Sequence, residues 1–442
     1  SFLHGDKIAL SAHLVMDPKD PPNGPGRELA PIPLRPRALS IASNQDQRLN
    51  FNALQTGLSN VGLGLKGIHI KGNHARFQII NARFRSSTQG LGRAVRTISQ
   101  FLSKDIESLS IEFMKKDMVV FSAHIERADL ERYALSANPS QEMLDKIDFS
   151  DKSERLPLQI RENIFSWSLG PYVEYSLFDP QAPLRGDVGA KVLGQWALGS
   201  GLYINGEVRK SIFGDFGRVL RTSNSVLPHV RSDHAIYGRD GDPSLDRFTL
   251  TKFGKLTPRV YSRVCAGYLE KMYAGVSGEI LWKPVNSRLG VGLELSRVQQ
   301  RDFDIRLGLQ DYQATTGHLS AYYDFDSGFT AQLDAGQYLA EDVGYTLRLS
   351  RLFGNGWEMG AWATITNVPF ERFGEGSFDK GLFFRIPLDW SIGYPSSYVS
   401  NIAFSPLTRD GGAKLNPPFR LHGLTRFTQA SAMTKEAGRF WK

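Results

Sequence analysis

The sequence predicts a mainly-β chain: an antiparallel transmembrane β-barrel of about 12–14 strands, preceded by a small α/β (αββ-αββ) periplasmic domain. Three observations lead there. The 442 residues include 43 Gly beside 27 Phe, 15 Tyr and 7 Trp, a mixture suited to many alternating strands joined by tight turns. From about residue 161 onward apolar residues recur at every second position, with small or polar residues between them. Short and long connections broadly alternate along that region, as in outer-membrane barrels with short periplasmic turns and longer external loops.

The expected domains are 1–37, 38–155 and 156–442. In the first, Ile8, Leu10, Ala12, Leu14 and Met16 share one face of a strand over 5–16, and a proline-rich linker follows to Pro36. A lone strand needs backbone partners and cover, so this one is expected to close an upstream barrel or pair with a partner chain. In the second, Phe51, Leu54, Leu58 and Val61 recur at helical spacing ahead of strands at 65–71 and 74–81. The pattern returns 44 residues on, Phe51 mapping to Val95, Leu54 to Ile98 and Phe77 to Phe121, with strands at 107–114 and 118–126 around Lys116-Asp117. A third helix near Leu130 and Tyr133 closes the unit. Each helix has one apolar stripe, which predicts a four-stranded sheet with its helices on one side and a pseudo-two-fold relation between the repeats.

In the third domain Val192, Trp196, Leu293, Leu347 and Met359 fall on the apolar face, expected to meet lipid. Lys191, Glu207, Arg209, Glu294, Arg348 and Glu358 fall on the opposite one, expected to line the lumen. A soluble β-sandwich would alternate too, but with fewer aromatics on its apolar face. Gly199-Ser200-Gly201, Asp326-Ser327-Gly328 and Gly354-Asn355-Gly356 read as tight turns, and 214–245, 302–313, 367–380 and 406–417 as long connections. The tail 429–442 is expected on the periplasmic side.

Several function classes are excluded. No stretch approaches the ~18 uninterrupted apolar residues of a spanning helix, and one cysteine, Cys265, makes neither an internal disulfide nor a Cys-based zinc site. The charge, 53 basic against 45 acidic residues for a net +8, is spread without a recognition helix or base-stacking signature, so no nucleic-acid partner is expected. Gly62-Leu63-Gly64-Leu65-Lys66-Gly67 matches a dinucleotide fingerprint in letters but precedes a strand, where the fingerprint needs a helix N-terminus. No cofactor is expected. Asp302/Asp304 and Asp324/Asp326 are spaced to share a strand face, as a glycan-cleaving carboxylate pair requires, or to cap turns. The chain opens at Ser1 without a basic and apolar leader, as a mature protein or a piece of a longer one would.

Six motifs in order make the region from about residue 40 to 442 resemble the YjbH-type exopolysaccharide biosynthesis family of the bacterial outer membrane. They are Val230-Arg231-Ser232-Asp233, Ala266-Gly267-Tyr268-Leu269-Glu270, Gln300-Arg301-Asp302-Phe303-Asp304, Thr316-Gly317-His318, Gly374 to Gly381 with Asp379-Lys380, and Arg409-Asp410-Gly411-Gly412. The resemblance implies a periplasmic α/β domain, an outer-membrane barrel, a further barrel region upstream, and a role assisting polymer secretion. It supplies no catalytic residues, and a non-enzymatic protein is expected. The lumen and loop candidates are Arg231, Asp233, Arg301, Asp302, Asp304, His318, Asp379, Lys380, Arg409 and Asp410. The expected partners are an exopolysaccharide or other glycan, outer-membrane lipid, and the upstream barrel segment or partner chain. A plugged structural or assembly barrel is the alternative, separated from an exporting one by whether the lumen is open or filled.

Overall fold

The computed structural model describes residues 2–3, 7–8, 28, 30–40, 50–153, 156, 164–177, 184–216, 223–369, 372, 378–389, 394–405 and 410–442. β1 (Phe2–Leu3) pairs antiparallel with β2 (Lys7–Ile8). The expected strand over 5–16 is thus seen only as part of a local hairpin, and its remainder lies outside the described residues.

A five-stranded sheet follows, β3 (Leu63–Lys71), β4 (His74–Asn81), β5 (Ser108–Lys115), β6 (Met118–Glu126) and β7 (Asp148–Ser150), in sequential order. α1 (Phe51–Asn60) begins on Asn50, whose side chain accepts from Ala53 N, and α2 (Ser87–Ser99) on Ser86, which accepts from Gln89 N. Leu54, Leu58, Leu91, Val95 and Ile98 are fully buried, as the apolar stripes require. α3 (Arg127–Tyr133) and α4 (Pro139–Leu144) complete the layer. Two expectations are corrected. β7 adds a fifth strand, too short for a period of 2 to show. β4 and β5 pair in parallel, so the second strand of one repeat meets the first strand of the next. A two-fold axis through the sheet would pair like strands at its centre, and the repeats are not related that way.

The second sheet has 13 strands in strictly sequential order. They are β8 (Ile164–Leu177), β9 (Leu184–Gly199), β10 (Leu202–Gly214), β11 (Ser244–Thr257), β12 (Val260–Tyr268), β13 (Tyr273–Trp282), β14 (Leu289–Arg301), β15 (Leu309–Asp324), β16 (Phe329–Gln337), β17 (Val343–Leu352), β18 (Glu358–Thr366), β19 (Asp379–Pro387) and β20 (Val399–Phe404), every pair antiparallel. The sheet curls until its edges meet: Tyr175 Oη on β8 donates to Ala403 O on β20 at 2.7 Å and accepts from Ala403 N at 3.2 Å. Among the described residues no backbone ladder joins the two edges.

The two faces divide as the alternation predicts. Val192, Trp196, Leu293, Leu347 and Met359 are exposed on the convex face, whereas Glu294 and Glu358 are buried on the concave one. The connections that follow β9, β11, β13, β15, β17 and β19 lie at one end, against the five-stranded sheet or the C-terminal tail. Asp117 accepts from Gly201 N at 2.8 Å, Asp151 pairs with Arg259 at 3.2 Å and accepts from Val285 N at 2.8 Å, Lys435 donates to Phe325 O at 2.7 Å, and Ser397 donates to Ala82 O at 3.3 Å. The far end carries 223–243 with α5 (His234–Asp240) and 302–308, but also the short connections 269–272 and 338–342, so the alternation of short and long connections expected from the sequence holds only in part.

The stretch 406–417 is not a connection between strands. From residue 410 the chain turns back into the concave side, passes through α6 (Leu421–Thr425), and emerges at the near end as α7 (Ala430–Lys435). The tail then lies on α2, where Arg96 donates to Trp441 O at 2.7 Å and a Cβ on Gly92 would fall 1.7 Å from Phe440 O. Only glycine permits that approach.

Candidate functional site

Residues 410–428 touch the concave faces of successive strands across the sheet. Arg263, Glu279 and Glu294 stand directly opposite one another on β12, β13 and β14. Two facing carboxylates repel, and buried charges need partners. Arg263, fully buried, bridges them at 3.0 Å to Glu279 and 3.2 Å to Glu294. The interior segment supplies the rest. Arg420 forks onto Glu294 at 2.9 and 3.1 Å, Leu421 N donates to Glu279 at 3.0 and 3.1 Å, and Pro418 O accepts from Arg263 at 3.0 Å. His422 stacks on Tyr322 of β15 with ring centroids 3.7 Å apart.

Both ends are tied. At the far end Asp410 accepts from Arg231 N at 2.8 Å and Ser232 N at 2.9 Å, while the Arg231 side chain pairs with Glu270 at 2.7 Å and donates to Lys414 O at 2.9 Å. Gly412 N donates to Asp342 at 2.7 Å. Val230, Tyr237, Leu269, Tyr273, Ile305, Leu339 and Leu415 form an apolar cluster around this head. At the near end Arg426 forks onto Glu358 at 2.6 and 2.9 Å, and Lys283 Nζ donates to Thr425 O at 3.0 Å. Lys116, from the β5–β6 turn, sits 4.5 Å from the Tyr203 ring and 4.4 Å from that of Phe419. Burial pushes its ammonium down to about 8 despite the neighbouring Asp117.

The segment does not fill the concave side. Between it and β16–β20 lies an open cavity of about 770 Å³. Gln332, Arg348 and Trp362 line it as one directly opposed row, and Thr346, Thr364 and Asp379 as the next. Glu358 is held by Arg426 and Arg385, Asp334 by Lys414 at 2.8 Å, and Asp379 by the Trp362 indole at 3.3 Å. The Arg348 guanidinium lies 3.5 Å from the Phe383 ring and has no hydrogen-bond partner among the described residues.

Of the residues singled out in the sequence, the structure brings Arg231 and Asp410 together at the head of the segment and puts Asp379 in the cavity wall. Asp233 precedes α5 and binds His229 Nδ1 at 3.1 Å. Burial would lower the His229 pKa, but the bonds to Ser225 O and Asp233 outweigh it and raise the value. Arg301 is a structural pin: fully buried, it donates to the carbonyls of Leu245, Asp246, Glu270, Ile305 and Arg306. Asp304 caps Arg306 N at 3.0 Å and the Asp302 backbone closes the same turn. Asp324 accepts from Thr330 at 2.8 Å and Asp326 pairs with Arg288, so neither aspartate pair faces a cleft. His318 is buried opposite Glu294, edge-on to Tyr338. Lys380 does not join the others; it is exposed, 4.5 Å from the Phe378 ring. Arg409 lies outside the described residues.

Residues 1–427 match the family described as exopolysaccharide biosynthesis protein YbjH. The chain belongs to that family. It is 28% identical over 401 residues to the "uncharacterized lipoprotein YjbH" of Escherichia coli (strain K12), an alignment covering 87% of this chain and 56% of the relative. The chain therefore spans about half the length of that protein. The family match includes the first 39 residues, which none of the six sequence motifs reaches.

Proposed function

We propose that this chain is an outer-membrane barrel of the exopolysaccharide machinery whose interior is partly plugged by its own residues 410–428, and that it holds or organises a glycan at the cavity beside the plug. The observation that carries this reading is the plug itself, bonded to inward-facing side chains of strands from β12 to β18 and tied at both ends. The convex apolar face would meet lipid, with the near-end turns and the five-stranded α/β unit on the periplasmic side. A plugged lumen favours a structural or assembling role over free conduction. The protein is read as non-enzymatic because both aspartate pairs are engaged in turns. Reconstitution of the full chain in planar bilayers tests the reading. It predicts no sustained open-channel steps, and Glu294→Gln combined with Glu358→Gln, which loosens the plug, should introduce them. Large steady conductance from the unaltered chain would overturn it.

A further inference from the structure

We infer that the cavity between the plug and β16–β20 receives an acidic sugar, with the sugar's carboxylate on Arg348. The inference rests on the glycan reading above and narrows it to one chemical class. Six cations line the cavity, Arg231, Arg348, Arg385, Lys414, Arg420 and Arg426, against three carboxylates, Asp334, Glu358 and Asp379. Arg231 and Arg420 find their counter-ions outside the lining, on Glu270 and Glu294. Arg426 and Arg385 share Glu358, and Lys414 takes Asp334. Asp379 accepts from the Trp362 indole at 3.3 Å, and Arg348 makes no salt bridge among the described residues. Its guanidinium rests on Phe383, which fixes the plane and leaves the N–H edge for a planar, bidentate acceptor.

The neighbours suit a hydroxylated ring. Gln332 and Trp362 flank Arg348 on β16 and β18 in direct register, giving an amide on one side and an aromatic face on the other. One row further, Thr346 and Thr364 share a hydrogen bond of 2.8 Å and present oxygens to the same space. Asn401, bonded to Arg385 at 2.9 Å, completes the wall. The wall is largely polar and charged, with Trp362, Phe383 and Phe384 as its aromatic part, which suits a hydroxylated ligand, and a volume of about 770 Å³ accommodates a short run of sugar units. A carboxylate adds the direct ion pair that Arg348 does not make among the described residues and that neutral sugars cannot supply.

Calorimetry on the full chain in detergent micelles tests this with a hexamer of galacturonic acid, the same hexamer fully methyl-esterified, and inorganic phosphate. The acid form should bind and the ester should bind at least tenfold more weakly. Arg348→Gln should cut acid binding about tenfold, roughly 1.4 kcal/mol, and leave the ester unchanged, while Arg348→Lys should keep part of the affinity. Because this side chain faces open space, the variants should retain the parent's thermal unfolding midpoint. Equal binding of acid and ester overturns the acidic specificity but leaves the glycan reading intact. Binding of neither hexamer overturns both. Displacement of the acid hexamer by phosphate at equal concentration would show a general anion site and overturn the assignment to a sugar carboxylate.

Discussion

The two walls of the curled sheet are built from the same alternating strands yet hold their interiors differently. On β12–β14 the concave face carries Arg263, Glu279 and Glu294 in one row, each buried, and the plug lies directly on them. On β16–β19 the plug is bound at Asp334 by Lys414 and at Glu358 by Arg426, but the row Gln332, Arg348 and Trp362 faces open space. The difference lies in the charge balance of each row. Two carboxylates facing each other require cations from elsewhere, and Arg420 of the plug brings one; a row with a single arginine draws no segment of this chain onto it. Charge pairing thus decides where the plug lies and where the cavity is left.

The sharpest way to break that comparison is to remove one arginine from each wall. Arg263→Met leaves Glu279 and Glu294 buried and opposed, and should cost roughly 3–5 kcal/mol in thermal or denaturant unfolding of the detergent-solubilised protein. Arg348→Met on the open wall should stay within about 0.5 kcal/mol. Similar losses at both sites would mean that the walls do not differ in the way described. The next largest effect is expected at the foot of the plug. Glu358→Gln removes the charge that holds Arg426 and Arg385, at a cost of about 1.5–3 kcal/mol. Hydrogen exchange should then rise across residues 424–430 and stay unchanged at the head around Asp410.

How far these features were legible in the sequence follows the same division. The strands and their facing were readable because a period of 2 is local: Val192 and Leu347 sit on the apolar face whatever their neighbours do. The αββ order was readable from Leu54, Leu58, Val95 and Ile98, but the parallel meeting of β4 and β5 was not, because pairing order leaves no local trace. The plug was missed. Lys414, Arg420, His422 and Arg426, with Pro417-Pro418 between, look like a polar connection and tail, and their partners lie far away in sequence: Arg420 binds a residue 126 positions earlier and Arg426 one 68 earlier. Glu294, Arg348 and Glu358 were legible as charges on the inward face of apolar strands, which was the one available signal that something charged must meet them. Arg301 and Asp304 read as site candidates because they are charged residues in a loop, and they proved to hold that loop's backbone.

Sidedness can be sharpened by a smaller, purely geometric effect. Cysteines at 347 and 348 differ by one residue and should differ completely in environment, since Leu347 is exposed on the convex face and Arg348 lines the cavity. In proteoliposomes a lipid-soluble maleimide should label position 347, and a water-soluble one position 348. The native Cys265 is fully buried and should stay silent. The reverse pattern would put every inward charge in hydrocarbon, at roughly 2–4 kcal/mol for a basic residue at midplane.

The smallest expected effect concerns the far-end loops that cover the plug's head. His229 binds Asp233 at 3.1 Å and Ser225 O at 3.2 Å through its ring, which ties the 223–233 stretch to the start of α5, while its backbone oxygen accepts from Gln300 of β14 at 3.1 Å. Its pKa is raised above the ordinary 6.5, so the protonated ring binds more favourably in the folded loop than in the unfolded chain. That stabilisation is fully present below pH 6.5 and is lost as the pH rises through the raised value. Because the side chain is one-third exposed, the contribution should stay below about 1 kcal/mol. Hydrogen exchange of residues 230–240 should accordingly quicken, after correction for the intrinsic rate, between pH 6 and pH 8. Asp233→Asn should flatten that dependence, while exchange in β12–β14 should not respond to either change. A response spread equally over the strands would mean that the loop and the packed wall open as one unit, and the distinction between a tied head and a charge-locked body would fail.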